Sequence, residues 1–82
     1  MRKILLFSAK WCLPCKQLAP IMESLQGEIN YEKVDVDSNT ELSTKYGIRN
    51  VPTLILVDNN GNVIDKKTGI QSRQQILDLY NG

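Results

Sequence analysis

The sequence contains no histidine and only two cysteines, Cys12 and Cys15. A structural zinc site usually takes four ligands, most of them cysteine or histidine, so one copy of this chain cannot build such a site by itself. Binding zinc or an iron–sulfur cluster would need a dimer that shares four sulfurs. We therefore expect no metal site within a single chain.

An excess of charge of one sign is also lacking. Ten Lys and Arg residues are balanced by nine Asp and Glu residues, which leaves a formal net charge of +1. This balance does not indicate a basic surface of the kind that binds nucleic acid or an anionic membrane. No segment approaches the roughly 20 apolar residues of a transmembrane helix.

The apolar run Ile4–Phe7 follows Arg2 and Lys3 but is shorter than the core of a secretory signal. We interpret it as a strand and expect a cytoplasmic protein, in which a disulfide is a working intermediate. The 82 residues contain no repeats, linkers or low-complexity stretches. They are expected to form one domain, residues 1–82, that is monomeric and buries one small core.

The cysteines lie three residues apart in the stretch Trp11–Lys16, where the apolar run gives way to a helical pattern. A helix N-terminus has unpaired N–H groups and the positive end of the helix dipole, both of which favour a thiolate. Residues three apart in a first turn share a face, so the two sulfurs can form and break a disulfide. Pro14 suits a first turn, which needs few donors.

These features favour a reactive dithiol, in which a substrate meets Cys12, and Cys15, one turn further in and more enclosed, attacks the resulting mixed disulfide. Three other interpretations remain open at this point. The pair could be a structural disulfide, although such a short ring is often reducible. It could be two inert buried thiols, or half of a metal site in a dimer.

Hydrophobic periodicity predicts seven elements in the order β-α-β-α-β-β-α. Pro20 falls inside the first helix and predicts a kink. The helical crossover implies a right-handed unit with two parallel strands, and the turn Asp58–Gly61 implies an antiparallel hairpin. The strands are expected at Lys3–Phe7, Tyr31–Val36, Leu54–Val57 and Asn62–Lys67. The first helix is expected at Cys12–Gln26, and the second is expected to begin at an N-cap within Asp37–Thr40 and to end at Tyr46. The third helix is expected to follow a capping box of Ser72 and Gln75.

Two motifs carry a resemblance to a known family. The Trp-Cys-x-Pro-Cys-Lys motif of Trp11–Lys16 and the later segment Lys45–Thr53, which ends in Val-Pro-Thr, resemble the thioredoxin superfamily. The resemblance extends from Lys3 to Tyr80. It implies an α/β fold, the compact thioredoxin fold with a four-stranded mixed sheet and three flanking helices, without the additional N-terminal strand and helix of ordinary thioredoxins.

The resemblance also implies thiol–disulfide exchange through a redox-active Cys12–Cys15 disulfide, with Cys12 as nucleophile and Cys15 as resolving thiol. It implies a cis peptide bond before Pro52. In the family, the residue before this proline, here Val51, pairs with the substrate backbone as an added strand does. The expected substrate-binding residues are Trp11, Leu13, Pro14, Val51 and Pro52, with Lys10 and Lys16 as candidate cations beside the thiolate.

The sequence departs from the thioredoxin pattern in the first strand. Leu6 occupies the position of a buried aspartate that is thought to help deprotonate the inner cysteine, so Lys33 lacks the partner that this lysine usually has. The family's Phe-Trp-Ala is here Phe7-Ser8-Ala9. The resemblance therefore leaves open how Cys15 is deprotonated.

The segment before the last helix bears on the electron donor. Glutathione-dependent glutaredoxins typically have two glycines and an acidic residue there, whereas Thr68–Ser72 has one glycine and no acid. The resemblance thus implies no bound cofactor, with electrons from NADPH through a thioredoxin-reductase-like flavoprotein to disulfide-containing proteins such as ribonucleotide reductase or a peroxiredoxin. The alternatives are a glutaredoxin-type enzyme and a non-catalytic binding module with this fold.

Overall fold

The seven predicted elements are present, in the predicted order, in a computed structural model that describes residues 2–82. Met1, the first residue of the predicted domain 1–82, lies outside the described residues. The elements are β1 (Lys3–Ser8), α1 (Leu13–Ser24), β2 (Tyr31–Asp35), α2 (Thr40–Lys45), β3 (Thr53–Val57), β4 (Val63–Thr68) and α3 (Arg73–Asn81).

The four strands form one mixed sheet in the order β2-β1-β3-β4, which confirms the predicted fold class. β1 is parallel to β2 and antiparallel to β3, and β3 and β4 form the antiparallel hairpin. In the parallel pair, Leu6 lies opposite Lys33, and Ser8 lies opposite Asp35. The ends of β1 and β2 therefore meet at the same edge of the sheet, just before the cysteines.

The two central strands separate two apolar clusters. All five residues of β3 are buried, as are Ile4–Ser8 of β1, because helices cover both faces of the sheet. One cluster packs β1 and β3 against α1 and α3 through residues such as Leu6, Leu18 and Ile76. The other packs Leu5, Phe7 and Ile55 against residues of and around α2. The buried strand β1 thus leads into the short segment that carries Cys12.

The bounds of α1 differ from the prediction. The helix runs from Leu13 to Ser24 rather than from Cys12 to Gln26, because Cys12 is its N-cap and Leu25 its C-cap. It continues through Pro20 as one helix of 12 residues. The predicted N-cap of α2 is Asn39, which makes no side-chain capping hydrogen bond.

Among residues 2–82, no helix is both long enough and apolar enough to cross a lipid bilayer.

The predicted capping box at the start of α3 is present, and its contribution to stability can be measured. The Ser72 hydroxyl accepts a hydrogen bond from the Gln75 N–H at 3.1 Å, and the Gln75 side chain accepts one from the Ser72 N–H at 2.8 Å. Ser72→Ala removes the first bond, so we expect the free energy of unfolding to fall by about 1 kcal/mol in chemical denaturation. Ser38→Ala, before the uncapped helix α2, is the control and should change stability by less than about 0.5 kcal/mol. Equal losses in the two variants would contradict the assigned cap.

Candidate active site

Cys12 is the last residue before α1 and caps this helix with its sulfur. Its backbone is extended, with φ −87° and ψ 112°, and its N–H donates to the Ala9 carbonyl at 3.2 Å. Its Sγ accepts a hydrogen bond from the Cys15 backbone N–H at 3.2 Å, as the oxygen of a serine or aspartate N-cap would. Negative charge on this sulfur is therefore stabilised by a peptide N–H and by the positive end of the helix dipole.

A second contact links the Cys12 sulfur to the segment before β3. Both cysteines are free thiols, and the Cys12 Sγ donates to the Val51 carbonyl at 3.6 Å. The Val51–Pro52 peptide bond is cis, and the Thr53 hydroxyl donates to the Asn50 carbonyl at 2.6 Å within the same turn. The later motif thus lies directly against the first cysteine.

The two thiols are similarly buried, whereas the sequence led us to expect that Cys15 is the more enclosed. Cys12 is 4% exposed and Cys15 is 7% exposed, so Cys15 is not the more enclosed residue. The reason is that Cys12, Cys15 and Ala9 pack as one small cluster under Val36 and Val51. The two sulfurs differ instead in their partners. The Cys12 Sγ accepts the Cys15 N–H and donates to the Val51 carbonyl, whereas Cys15 is paired with the Ala9 N–H and the Cys12 side chain.

Cys15 holds its proton tightly. Burial, followed by its hydrogen bond with the Cys12 side chain, raises the pKa of the Cys15 thiol from 9.0 to about 11. The Ala9 backbone N–H and, less strongly, the positive charge of Lys33 lower this pKa, but both effects are smaller than that of burial. Cys15 is therefore a thiol at neutral pH, and its attack on another sulfur requires the removal of a proton.

The surface around Cys12 is apolar and exposed. Trp11 is 70% exposed and Leu13 is 65% exposed, and Pro14 is also exposed. Exposed large apolar side chains that lie together commonly mark an interaction surface. The Trp11 Nε1 donates to the Asp37 carboxylate at 3.0 Å, which orients the indole.

Pro52, which was predicted to belong to the substrate-binding surface, exposes almost none of its side chain. Pro52 is fully buried, because it directly precedes the wholly buried strand β3. Its carbonyl accepts a hydrogen bond from the Gly69 N–H at 2.9 Å. Val51 is half-buried and presents its backbone to the site rather than a large side-chain surface.

The predicted lysines lie around Cys15 rather than Cys12. A cleft of about 560 Å³ lies beside Cys15, and Cys12 is not part of its lining. No lysine donates a hydrogen bond to either sulfur in residues 2–82. The cleft is lined by Ser8, Ala9, Lys10, Cys15, Lys16, Ala19, Lys33 and Asp35.

Leu6, which replaces the aspartate of the family pattern, is 3% exposed and belongs to the apolar cluster with Leu18 and Met22. It supplies no group that can accept a proton. This agrees with the departure identified from the sequence, and it leaves the deprotonation of Cys15 to other residues.

Sequence reasoning missed two carboxylates, Asp35 and Asp37. Both follow the buried Val34 at the end of β2, and the Asp35 side chain accepts a hydrogen bond from the Asp37 N–H at 2.9 Å. The signal for them was available, because the ends of adjacent parallel strands lie at one edge of a sheet. With β1 leading to Cys12, the end of β2 had to lie beside the cysteines.

Within residues 2–82, no three His, Cys, Asp or Glu side chains are grouped so that they could hold a metal ion.

Comparison with known proteins identifies the family. The Thioredoxin family model matches residues 2–81. Thioredoxin from Rickettsia conorii is 40% identical over 79 residues, covering 92% of this chain and 74% of the relative, and thioredoxin from Bacillus subtilis is 37% identical with 92% and 75% coverage. Among solved structures, a mutant thioredoxin from Halobacterium salinarum superposes with a TM-score of 0.89 at 35% identity, covering 98% of this chain and 72% of that one.

The high pKa of Cys15 can be tested in the variant Cys12→Ser, whose one thiol is Cys15. The serine removes the charge of Cys12 but retains a polar side chain, so we expect the thiolate, followed by ultraviolet absorbance, to titrate above 9.0 and somewhat below the value of about 11. Because the folded state holds this proton more tightly, its contribution to stability is full below about pH 9 and is lost as the pH rises toward 11. The same variant unfolded in denaturant is the control. A folded midpoint at or below the unfolded one would contradict the assignment.

Proposed function

The chain belongs to the thioredoxin family and is a thiol–disulfide oxidoreductase, and we propose that it reduces protein disulfides with Cys12 as nucleophile and Cys15 as resolving thiol. The Cys12 thiolate attacks one sulfur of the substrate disulfide, forms a mixed disulfide and releases the first substrate thiol. The Cys15 thiolate then attacks the Cys12 sulfur, and the second substrate thiol leaves. Two electrons pass to the substrate, and the protein retains a Cys12–Cys15 disulfide.

The observation that carries this assignment is the hydrogen bond from the Cys15 N–H to the Cys12 sulfur. A thiolate is the attacking form of cysteine, and this bond stabilises the thiolate of Cys12 in particular. Cys15 has the Ala9 backbone N–H near its sulfur, but burial outweighs this contact and raises the pKa of Cys15, so Cys15 keeps its proton. The order of attack, with Cys12 first and Cys15 second, follows from this difference.

The substrate would lie on the exposed side chains of Trp11 and Leu13, with its backbone beside Val51. The Cys12 thiol currently donates to the Val51 carbonyl. When Cys12 enters a mixed disulfide it has no proton to donate, so this carbonyl becomes available to a backbone N–H of the substrate, as in the addition of a strand. The same event that binds the substrate covalently would thus provide its backbone contact.

Electrons would come from NADPH through a flavoprotein of the thioredoxin reductase kind, with no cofactor bound to this chain. Two observations support this donor over glutathione. The segment Gly69–Gln71 carries a single glycine and no acidic residue, and the relatives described above are thioredoxins. We propose cytoplasmic protein disulfides as substrates, of the class found in ribonucleotide reductase and peroxiredoxins.

Reduction of a model protein disulfide tests the electron donor. The reaction is run once with NADPH and thioredoxin reductase, and once with NADPH, glutathione and glutathione reductase. We expect turnover with the flavoprotein reductase and at most about a tenth of that rate with glutathione, because a binding difference of about 1.4 kcal/mol already gives a factor of ten. Cys12→Ser is the control and should be inactive in both. Turnover with glutathione alone would contradict the proposal in favour of a glutaredoxin-type enzyme.

A further inference from the structure

The cleft beside Cys15 is separate from the surface proposed to receive the substrate. Trp11, Leu13, Cys12 and Val51 are absent from its lining. It is bounded by the end of β1, by the first turns of α1 and by the end of β2, where Ser8 lies opposite Asp35. The cleft therefore gives the resolving thiol access to solvent while a substrate occupies the other side of the cysteine pair.

Cys15 needs a proton acceptor at that stage of the reaction. In the mixed disulfide the Cys12 sulfur is bonded to the substrate, so it cannot take the proton. Leu6 has no polar group, and the Ser8 hydroxyl is a poor base. The acceptor must come from the titratable groups that face Cys15.

Those groups are few. Apart from Cys12, they are Lys10 from the loop after β1, Lys16 from α1, and Lys33 and Asp35 from β2. A protonated lysine has three donors and no acceptor, whereas a carboxylate accepts on two oxygens. Asp35 is therefore the one group lining the cleft that can take a proton from Cys15 at neutral pH.

The side chain of Asp35 is suited to this role. It is half-buried, and one of its oxygens, Oδ1, accepts the Asp37 N–H at 2.9 Å. The other oxygen, Oδ2, makes no hydrogen bond within residues 2–82, which leaves it available to water in the cleft. Lys33 lies two residues earlier on the same face of β2, where its positive charge favours a thiolate at Cys15.

We propose that Asp35 accepts the proton of Cys15 through water in this cleft. Asp35 thus replaces the carboxylate that the thioredoxin pattern has at the position of Leu6. The Cys15 S–H bond breaks, the proton passes through water to Asp35 Oδ2, and the Cys15 sulfur attacks the Cys12 sulfur. The bond between Cys12 and the substrate sulfur then breaks, and the substrate leaves as a thiol after taking up a proton. This inference rests on the roles proposed above for Cys12 and Cys15.

If Asp35 acted only through its charge, removing that charge would change the rate of the resolving step in the opposite direction. A carboxylate near Cys15 repels a thiolate, so removing its charge would make Cys15 easier to deprotonate and would speed the resolving step. As a proton acceptor, its removal slows that step. The direction of the change therefore separates the two roles.

The test is a stopped-flow reaction of the reduced protein with dipyridyl disulfide, which releases one coloured thiopyridone when Cys12 attacks and a second when Cys15 resolves. Asp35→Asn keeps an oxygen for the Asp37 N–H and removes the proton acceptor. We expect its second release to slow by at least about tenfold at neutral pH, with the first release within about twofold of wild type. The deficit should shrink as the pH rises, because hydroxide replaces the carboxylate, and Asp35→Glu should recover part of the rate.

Asp65→Asn, which alters an exposed carboxylate on β4, is the matched control and should leave both releases unchanged. An unchanged or faster second release in folded Asp35→Asn, verified by circular dichroism, would overturn the role of Asp35 alone. A wild-type protein that released only one thiopyridone per chain would overturn the roles assigned to the cysteines, and this proposal with them.

Discussion

The hydrogen bond from the Cys15 N–H to the Cys12 sulfur is the contact on which the chemistry of this protein depends. It exists because the buried strand β1 ends at Ser8 and places Cys12 at the first free N–H groups of α1. A cysteine at this position does the work of an N-cap and has its negative charge stabilised at the same time. One backbone arrangement thus contributes both to the start of the helix and to the reactivity proposed for Cys12.

The surroundings of Cys15 favour the neutral thiol, whereas those of Cys12 favour the thiolate. Cys15 lies one turn into the helix, where burial raises its pKa to about 11 and keeps it protonated at neutral pH. A protonated Cys15 does not compete with Cys12 for the first attack, but it must lose its proton before it can resolve the mixed disulfide. The thioredoxin pattern has a carboxylate in the strand before the cysteine motif, whereas this chain has Leu6 there and a carboxylate on the adjacent strand, at Asp35. Since Ser8 and Asp35 are paired across β1 and β2, the substitute lies at the same edge of the sheet.

The element order and the cysteine pair could be predicted because both are local. Apolar periodicity, the turn Asp58–Gly61 and the capping residues Ser72 and Gln75 act within a few positions of one another. The burial of Pro52, the similar exposure of the two thiols and the placement of Asp35 and Asp37 could not be read in this way. They depend on how β1 pairs with β2 and on how β3 packs, which are contacts between residues distant in the sequence.

The roles proposed for Cys12, which attacks, and Cys15, which resolves, can be tested by mixing the reduced Cys15→Ser protein with a protein disulfide substrate. Mass mapping of the product under non-reducing conditions then identifies the cysteine that is bonded to the substrate. We expect a stable mixed disulfide through Cys12, because the thiol that releases the substrate is missing, and no adduct with the matched Cys12→Ser protein. A stable adduct through Cys15 in Cys12→Ser, with none in Cys15→Ser, would contradict these roles.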